Sequence, residues 1–192
     1  YTREQANIES EEQIRNRVQS AYSIASHLYS MYKDEMEVDE IRSMAVEVLR
    51  PVRWFGERGY YFAGQTDTGV IDLFADEPFF EGQTSLTTPF ASDRVVADMI
   101  EIVREKGAGI YRYNLVKPAY PDLVFSKICF VKYFEPFDWF LGAGIYDNDM
   151  ATMNQSAALD SIGQISFGQG GEVFVFKADG TIISHNDTQL LG

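Results

Sequence analysis

Residues 56–69 read GERGYYFAGQTDTG, and residues 168–180 read GQGGEVFVFKADG. Each opens on Gly-x-x-Gly (Gly56 and Gly59, Gly168 and Gly171) and runs into an aromatic, β-prone stretch. Each carries a Phe at the same offset (Phe62, Phe174) and closes on a glycine turn (Gly69, Gly180). The likeness continues through VIDLFADEPFFEG and TIISHNDTQLLG, each a strand, a polar turn, two bulky residues and a glycine (Gly82, Gly192). A repeat of this kind marks a duplicated structural unit.

Working outward from the first copy, the period changes at Pro51. Before it, Ile14, Val18, Ala21, Tyr22, Ala25, Leu28, Tyr29 and Tyr32 recur at spacings of three and four, one apolar stripe on a long helix over residues 8–33. A second helix fits 38–49, with Ile41, Ala45, Val48 and Leu49 inward and Pro51 limiting it. After it come five short runs bounded by Gly, Pro or Asp: YYFAG, GVIDLFA, GIYRYNLV, SKICFVKYF and WFLGAGIY. Between the second and third lies a helical segment, with Ser92 and Asp93 as candidate caps and Gly107 as its stop. Val95, Val96, Met99, Ile100 and Val103 form its buried face. The expected architecture is α+β, an antiparallel sheet of five strands with helices to one side. Residues 147–167 read as a connecting helix into a second, similar unit.

Composition narrows the function. The formal net charge of -13 argues against nucleic acid, which needs a basic face. A single cysteine, Cys129, excludes internal disulfides and cysteine-rich metal motifs. No run of eighteen apolar residues spans a membrane, and no signal peptide opens the chain. The expectation is a piece of a longer protein.

Several separate segments then resemble one family. LRPVRWFGERGYYFAG, LFADEPFFEGQ, DMIEIVREKGAGIYRYNLVKP and SKICFVKYFEPFDWFLGAGIYDND, in that order, are similar to the Cache superfamily of extracytoplasmic sensor domains. IGQISFGQGGEVFVFKADGTIISHNDTQLLG resembles the opening of a second Cache unit. The resemblance covers about residues 36–192. It implies a PAS-like five-stranded sheet with a long N-terminal helix descending from a transmembrane segment. It also implies the input module of a bacterial membrane receptor: a sensor histidine kinase, a chemoreceptor or a cyclic-dinucleotide enzyme. The expected divisions are a signalling helix over 1–35, a ligand-binding unit over 36–150, and a connector with the first hairpin of a second unit over 151–192. The departure is Glu172, which stands where a Tyr is expected, so the second unit receives no ligand.

Candidate site residues follow from the chemistry a carboxylate or amino acid ligand requires. Arg53 sits where the helix ends and the pocket should begin, and a bidentate guanidinium suits a carboxylate. The alternative for Arg53, as for Arg50, is a solvated arginine at a helix C-terminus. In SKICFVKYF, Ile128 and Phe130 share one face and Lys127, Cys129, Val131 and Tyr133 the other. The second face suits a small polar pocket, unless Lys127 snorkels to water at the strand end. Trp54, Tyr61, Phe74, Tyr113 and Tyr146 complete the candidate lining. Within each alternating aromatic pair, the pattern does not say which member meets the pocket.

No catalytic, metal or cofactor site is expected. His27 and His185 have no third partner at triad or metal spacing. Asp147, Asn148 and Asp149 read as a capping segment. The glycines at 107–109 and 142–144 lack phosphate-loop spacing. The expected partners are a small organic acid or amino acid and, through the N-terminal stripe, a second copy of the chain. The rival readings are a periplasmic enzyme using the same Tyr, Lys and Asp residues, and a ligand-free oligomerisation module.

Overall fold

The computed structural model describes residues 3–54, 57–84, 94–116, 124–146, 155, 158–167, 171–185 and 187–191. The chain divides into two compact units, Tyr1–Asn148 and Asp149–Gly192.

In the first unit, helices α1 (Arg3–Tyr32) and α2 (Val38–Leu49) precede strands β1 (Tyr60–Gln65) and β2 (Ile71–Phe74). Helix α3 (Val95–Lys106) and strands β3 (Ala108–Val116), β4 (Val124–Phe134) and β5 (Trp139–Tyr146) follow. All neighbours in the sheet are antiparallel, in the order β2-β1-β5-β4-β3. The first hairpin therefore docks beside the last strand, and β5 occupies the centre between β1 and β4. β5 is buried along its whole length, which accounts for its unbroken apolar run WFLGAGIY.

The stripe on α1 is buried as its period requires: Ile14, Val18, Ala21 and Ala25 are 0–1% exposed. It packs on the outer face of β4 and β5. Tyr22 meets Phe134 edge-on at 5.2 Å, the Arg15 guanidinium lies 4.7 Å from the Phe130 ring, and Lys132 bonds Gln19. Because this stripe faces the sheet, it is not available as the expected surface for a second copy. Helix α2 has the expected bounds, but its buried face is Ile41, Ala45, Val46 and Leu49. Val48 is exposed, so Val46 takes the inward position assigned to it.

The helices do not all lie to one side. Helix α3 covers the face opposite α1, with Val95, Val96, Met99, Ile100 and Val103 buried. Tyr111 donates to Asp98 of α3, and a Cβ on Gly109 would strike Ile102. The helix stops at Gly107 as expected, with φ 72 in the left-handed region that glycine tolerates. Its N-cap position is Arg94; Ser92 and Asp93 lie outside the described residues.

One end of the sheet is tied by two carboxylates. Asp72 accepts from Trp139 Nε1 at 2.7 Å and from Gln65, and Arg42 of α2 lies 3.4 Å away. Asp138, at the left-handed turn between β4 and β5, accepts from Thr66 Oγ1 (2.6 Å), Tyr133 (2.9 Å) and the Asp67 N–H (3.0 Å). Burial alone would raise the Asp138 carboxyl, but these donors outweigh it and hold it below its ordinary 3.8. A depressed folded value gives stability that is present above the unfolded value and lost as pH falls through the folded one. Asp138→Asn is therefore expected to lower the Tm at pH 7, with the gap to wild type closing as melts are repeated at successively lower pH below 4. A gap that stays constant down to pH 2 would show that the charge is not the stabilising element.

In the second unit, residues 158–163 are helical, followed by β6 (Ser166–Phe167), β7 (Gly171–Glu172), β8 (Val175–Phe176) and β9 (Ile182–Ser184). The connecting helix thus ends before 167: Ser166 and Phe167 pair with Glu172 and Gly171 as a ribbon. Ser184 is buried and donates to the Leu159 carbonyl, and Gly163 allows the helix to approach Ser184 and His185 closely. The repeat is visible in the backbone. Gln65 N–H bonds Val70 O across a turn with Gly69 at φ 67, and Lys177 N–H bonds Thr181 O across a turn with Gly180 at φ 91. The Trp54–Gly59 bridge of the first unit has its counterpart in the Phe167–Gly171 pair.

Candidate ligand-binding site

The face of the sheet beneath α3 carries the chemistry. Alternation along β4 places Lys127 and Cys129 there, and the register sets their neighbours. Lys127 lies between Tyr113 and Tyr146, and Cys129 between Tyr111 and Gly144, with Tyr60 beyond Gly144. Gly144 leaves a trough between strands. Lys127 runs through it so closely that a Cβ on Gly144 would sit 2.9 Å from Lys127 Cε.

The ammonium ends inside the protein. Lys127 is 1% exposed, and its Nζ donates to the Tyr60 hydroxyl at 2.5 Å. It lies 4.5 Å from the Tyr60 ring centroid, 5.0 Å from Tyr146 and 5.9 Å from Phe62, within cation–π range of all three. Phe74 closes edge-on against Tyr60 at 5.5 Å. Beside this polar end is an apolar cavity of about 20 Å³, room for about one water. Phe62, Phe74, Tyr113 and Phe140 line it from the sheet, and Val95, Val96 and Met99 from α3.

Burial sets the protonation states. The Tyr60 phenol is pushed well above its ordinary value by burial, then by the nearby Tyr146, Tyr113 and Asp76. Tyr113 is raised in the same way by burial, then by Cys129, Tyr146 and Tyr111. Both remain protonated at neutral pH and can donate to an anion. Burial pushes the Cys129 thiol up to about 12 in spite of Lys127 nearby, so it is neither a thiolate nor a nucleophile.

Of the nine residues expected to line a pocket, the structure gathers Phe74, Tyr113, Lys127, Cys129 and Tyr146. It places the other four elsewhere. The Arg53 guanidinium donates to the carbonyls of Arg50 (2.5 Å), Val52 (3.1 Å) and Ala75 (2.8 Å), holding the α2–β1 connection to the residue that follows β2. Arg50 makes a bidentate pair with Glu81. Tyr61 points to the α1 face and donates to the Arg17 carbonyl, with the Trp54 ring tilted against it at 4.8 Å. Tyr133 has the right face but the wrong end of β4, bonded to Asp138. Tyr60, Phe62 and Gly144 belong to the site and were not singled out. The available signal was parity: Phe62 pairs with Phe74, so a site at Phe74 selects Tyr60 rather than Tyr61.

The second unit does not repeat this arrangement. Glu172 stands at the Tyr60 position and His185 at the Phe74 position, their side chains 3.5 Å apart. Among the described residues no cluster of His, Cys, Asp and Glu could hold a metal, and no helix is long and apolar enough to cross a membrane. Asp147, Asn148 and Asp149 lie outside the described residues.

The sheet thus carries a long helix on one face and a buried lysine among aromatic rings on the other. The Cache domain model dCache_2 matches residues 1–192, and the chain belongs to that family. Sensor histidine kinase MctS of Rhizobium johnstonii (strain DSM 114642 / LMG 32736 / 3841) is 26% identical over 134 residues, 69% of this chain. The chain spans 28% of the length of that curated relative. Among solved structures, a periplasmic sensor domain of a chemotaxis protein is 25% identical, with a TM-score of 0.64 over 73% of this chain and 96% of that one. A Cache chemosensory domain whose structure gives the basis for carboxylic acid recognition is 25% identical, with a TM-score of 0.65 over 77% and 99%. The chain is thus a periplasmic sensor module of the kind found in histidine kinases and chemotaxis receptors.

Proposed function

We propose that the Lys127 pocket binds a small carboxylate with a short apolar tail, and that occupancy is relayed to an output domain of a bacterial receptor. The observation that carries this is the Lys127 ammonium, buried within three aromatic faces and beside protonated phenols. A carboxylate displacing the Tyr60 contact gains a charged hydrogen bond away from water, where it is strongest. The cavity walled by Val95, Val96 and Met99 takes the end of the tail, and its size restricts what enters to about one methyl group. The carboxylic acid recognition described for the similar Cache domain agrees with this chemistry. An amino acid is the second reading, favoured by Asp76 at the exposed edge near Tyr60, where it could meet an ammonium group. A ligand shifts a receptor only through different affinities for two states. A homodimer through α1 would use its outer, charged face.

Thermal melts with acetate, propionate and alanine decide among these. A ligand at a hundred times its Kd adds about 2.7 kcal/mol, roughly 5–10 °C for a domain of this size. Propionate is expected to give the largest shift. A shift with alanine alone would move the assignment to amino acids, and no shift with any of the three would overturn it.

A further inference from the structure

Two residues picked out by their sequence as pocket lining, Trp54 and Tyr61, lie on the opposite face of the sheet from Lys127. We propose that Tyr61, backed by Trp54, is the positioning contact that couples the pocket to α1. The inference takes from the preceding section only that the pocket is centred on Lys127.

Tyr60 and Tyr61 are consecutive on β1, so their side chains leave opposite faces of one strand. Tyr60 accepts from Lys127 Nζ. Tyr61 is 2% exposed and its hydroxyl donates to the Arg17 carbonyl of α1 at 3.0 Å. Burial raises the Tyr61 phenol, against the pull of Arg17, so the proton stays and the bond persists. The Arg17 guanidinium in turn lies 5.3 Å from the Trp54 ring, which rests 4.8 Å from Tyr61. Trp54 is locked to β1 by reciprocal backbone bonds with Gly59. A Cβ at Gly59 would overlap the indole at 2.0 Å. Gly59, Tyr60 and Tyr61 thus touch Trp54, the pocket and α1 in succession.

The other ties from α1 to the sheet described above are apolar or run from exposed side chains, and such contacts tolerate sliding. The Tyr61 bond is directional and ends on a helix carbonyl. That carbonyl also accepts the N–H of residue 21 in the helical ladder. A rotation of β1 that re-seats Tyr60 must therefore lengthen or shorten a bond to α1, or break it.

The test is a double-mutant cycle that needs no ligand. Tyr60→Phe perturbs the pocket, and Tyr61→Phe removes the coupling hydroxyl. Backbone hydrogen exchange of α1 amides at residues 17–21 is the readout, with global Tm recorded for every variant. Tyr60→Phe alone is expected to change exchange there by at least roughly twofold, the lower limit for measurable coupling. In the Tyr61→Phe background the same change should vanish, and Trp54→Phe should reduce it. Equal effects of Tyr60→Phe in both backgrounds would overturn the proposal, as would a change spread evenly over all of α1. Failure of acetate or propionate to bind would leave this cycle unaffected, so the two readings fail separately.

Discussion

Lys127→Met is expected to weaken propionate binding by roughly ten- to a hundredfold while leaving the Tm unchanged or raised. The two signs come from one burial. A hydrogen bond to a charged group contributes about 1.5–3 kcal/mol, which sets the loss of affinity. An ammonium taken out of water costs several kcal/mol unless its surroundings compensate. Here the compensation includes the Tyr60 hydroxyl and three aromatic faces. Methionine keeps the length and volume of the stem and removes the desolvated charge. Replacing buried ionic groups by apolar ones of similar volume is often neutral or stabilising. Calorimetric titration and thermal melts of the same variant measure both. A Kd within threefold of wild type would place the ligand elsewhere. A marked fall in Tm would make Lys127 a structural anchor instead.

Arg53→Ala is the matching control, with the opposite pattern. Its guanidinium holds three carbonyls around the α2–β1 connection. Its loss leaves half-buried acceptors without their donor, at about 1–3 kcal/mol. Stability should therefore fall, with propionate affinity within about twofold of wild type.

The contrast between Arg53 and Lys127 shows where the sequence is readable. Period and punctuation placed α2 between Val38 and Leu49, stopped α3 at Gly107 and separated the two faces of β4. These follow from local rules: a helix stripe, a left-handed stop, alternation. Alternation assigns a face but no position along it. Tyr133 shares a face with Lys127 yet stands six residues away, about 20 Å on an extended strand. β1 is unreadable for another reason. Tyr60 to Gly64 are all buried, because this interior strand is covered on both faces, so no polar residue marks an outside. The side on which α3 packs depends on its connections, not on its own stripe, and the stripe was all the sequence offered. Arg53 follows a helix end beside a strand, which is also where a ligand cation would stand. Backbone carbonyls are equally good acceptors there, and nothing in residue type distinguishes them.

Gly142→Ala should be among the most damaging single-methyl changes in the domain, and its damage should be repairable. Gly142 faces Phe62 on β1 and Val131 on β4 across the register. A Cβ there would lie 2.4 Å from two Phe62 ring atoms and 3.0 Å from Val131 Cγ1. No real contact is that short, so the ring must move. Phe62 is 5% exposed, and the open space beside it is the cavity of about 20 Å³, too small for a displaced ring. The ring must then push against Val95, Val96 and Met99, the residues that hold α3 to the sheet. Overpacking of this kind costs about 1–3 kcal/mol, or roughly 2–10 °C in Tm. It also fills the space proposed for the ligand's tail, so propionate should lose more affinity than acetate. Phe62→Leu removes the clashing atoms. Alone it should destabilise by leaving a void, and combined with Gly142→Ala it should restore much of the stability, with an interaction energy of about 1 kcal/mol or more. Thermal melts of the two single variants and the double variant complete the cycle. Strictly additive losses would mean that Phe62 does not receive the new methyl group and that the pocket wall is built differently.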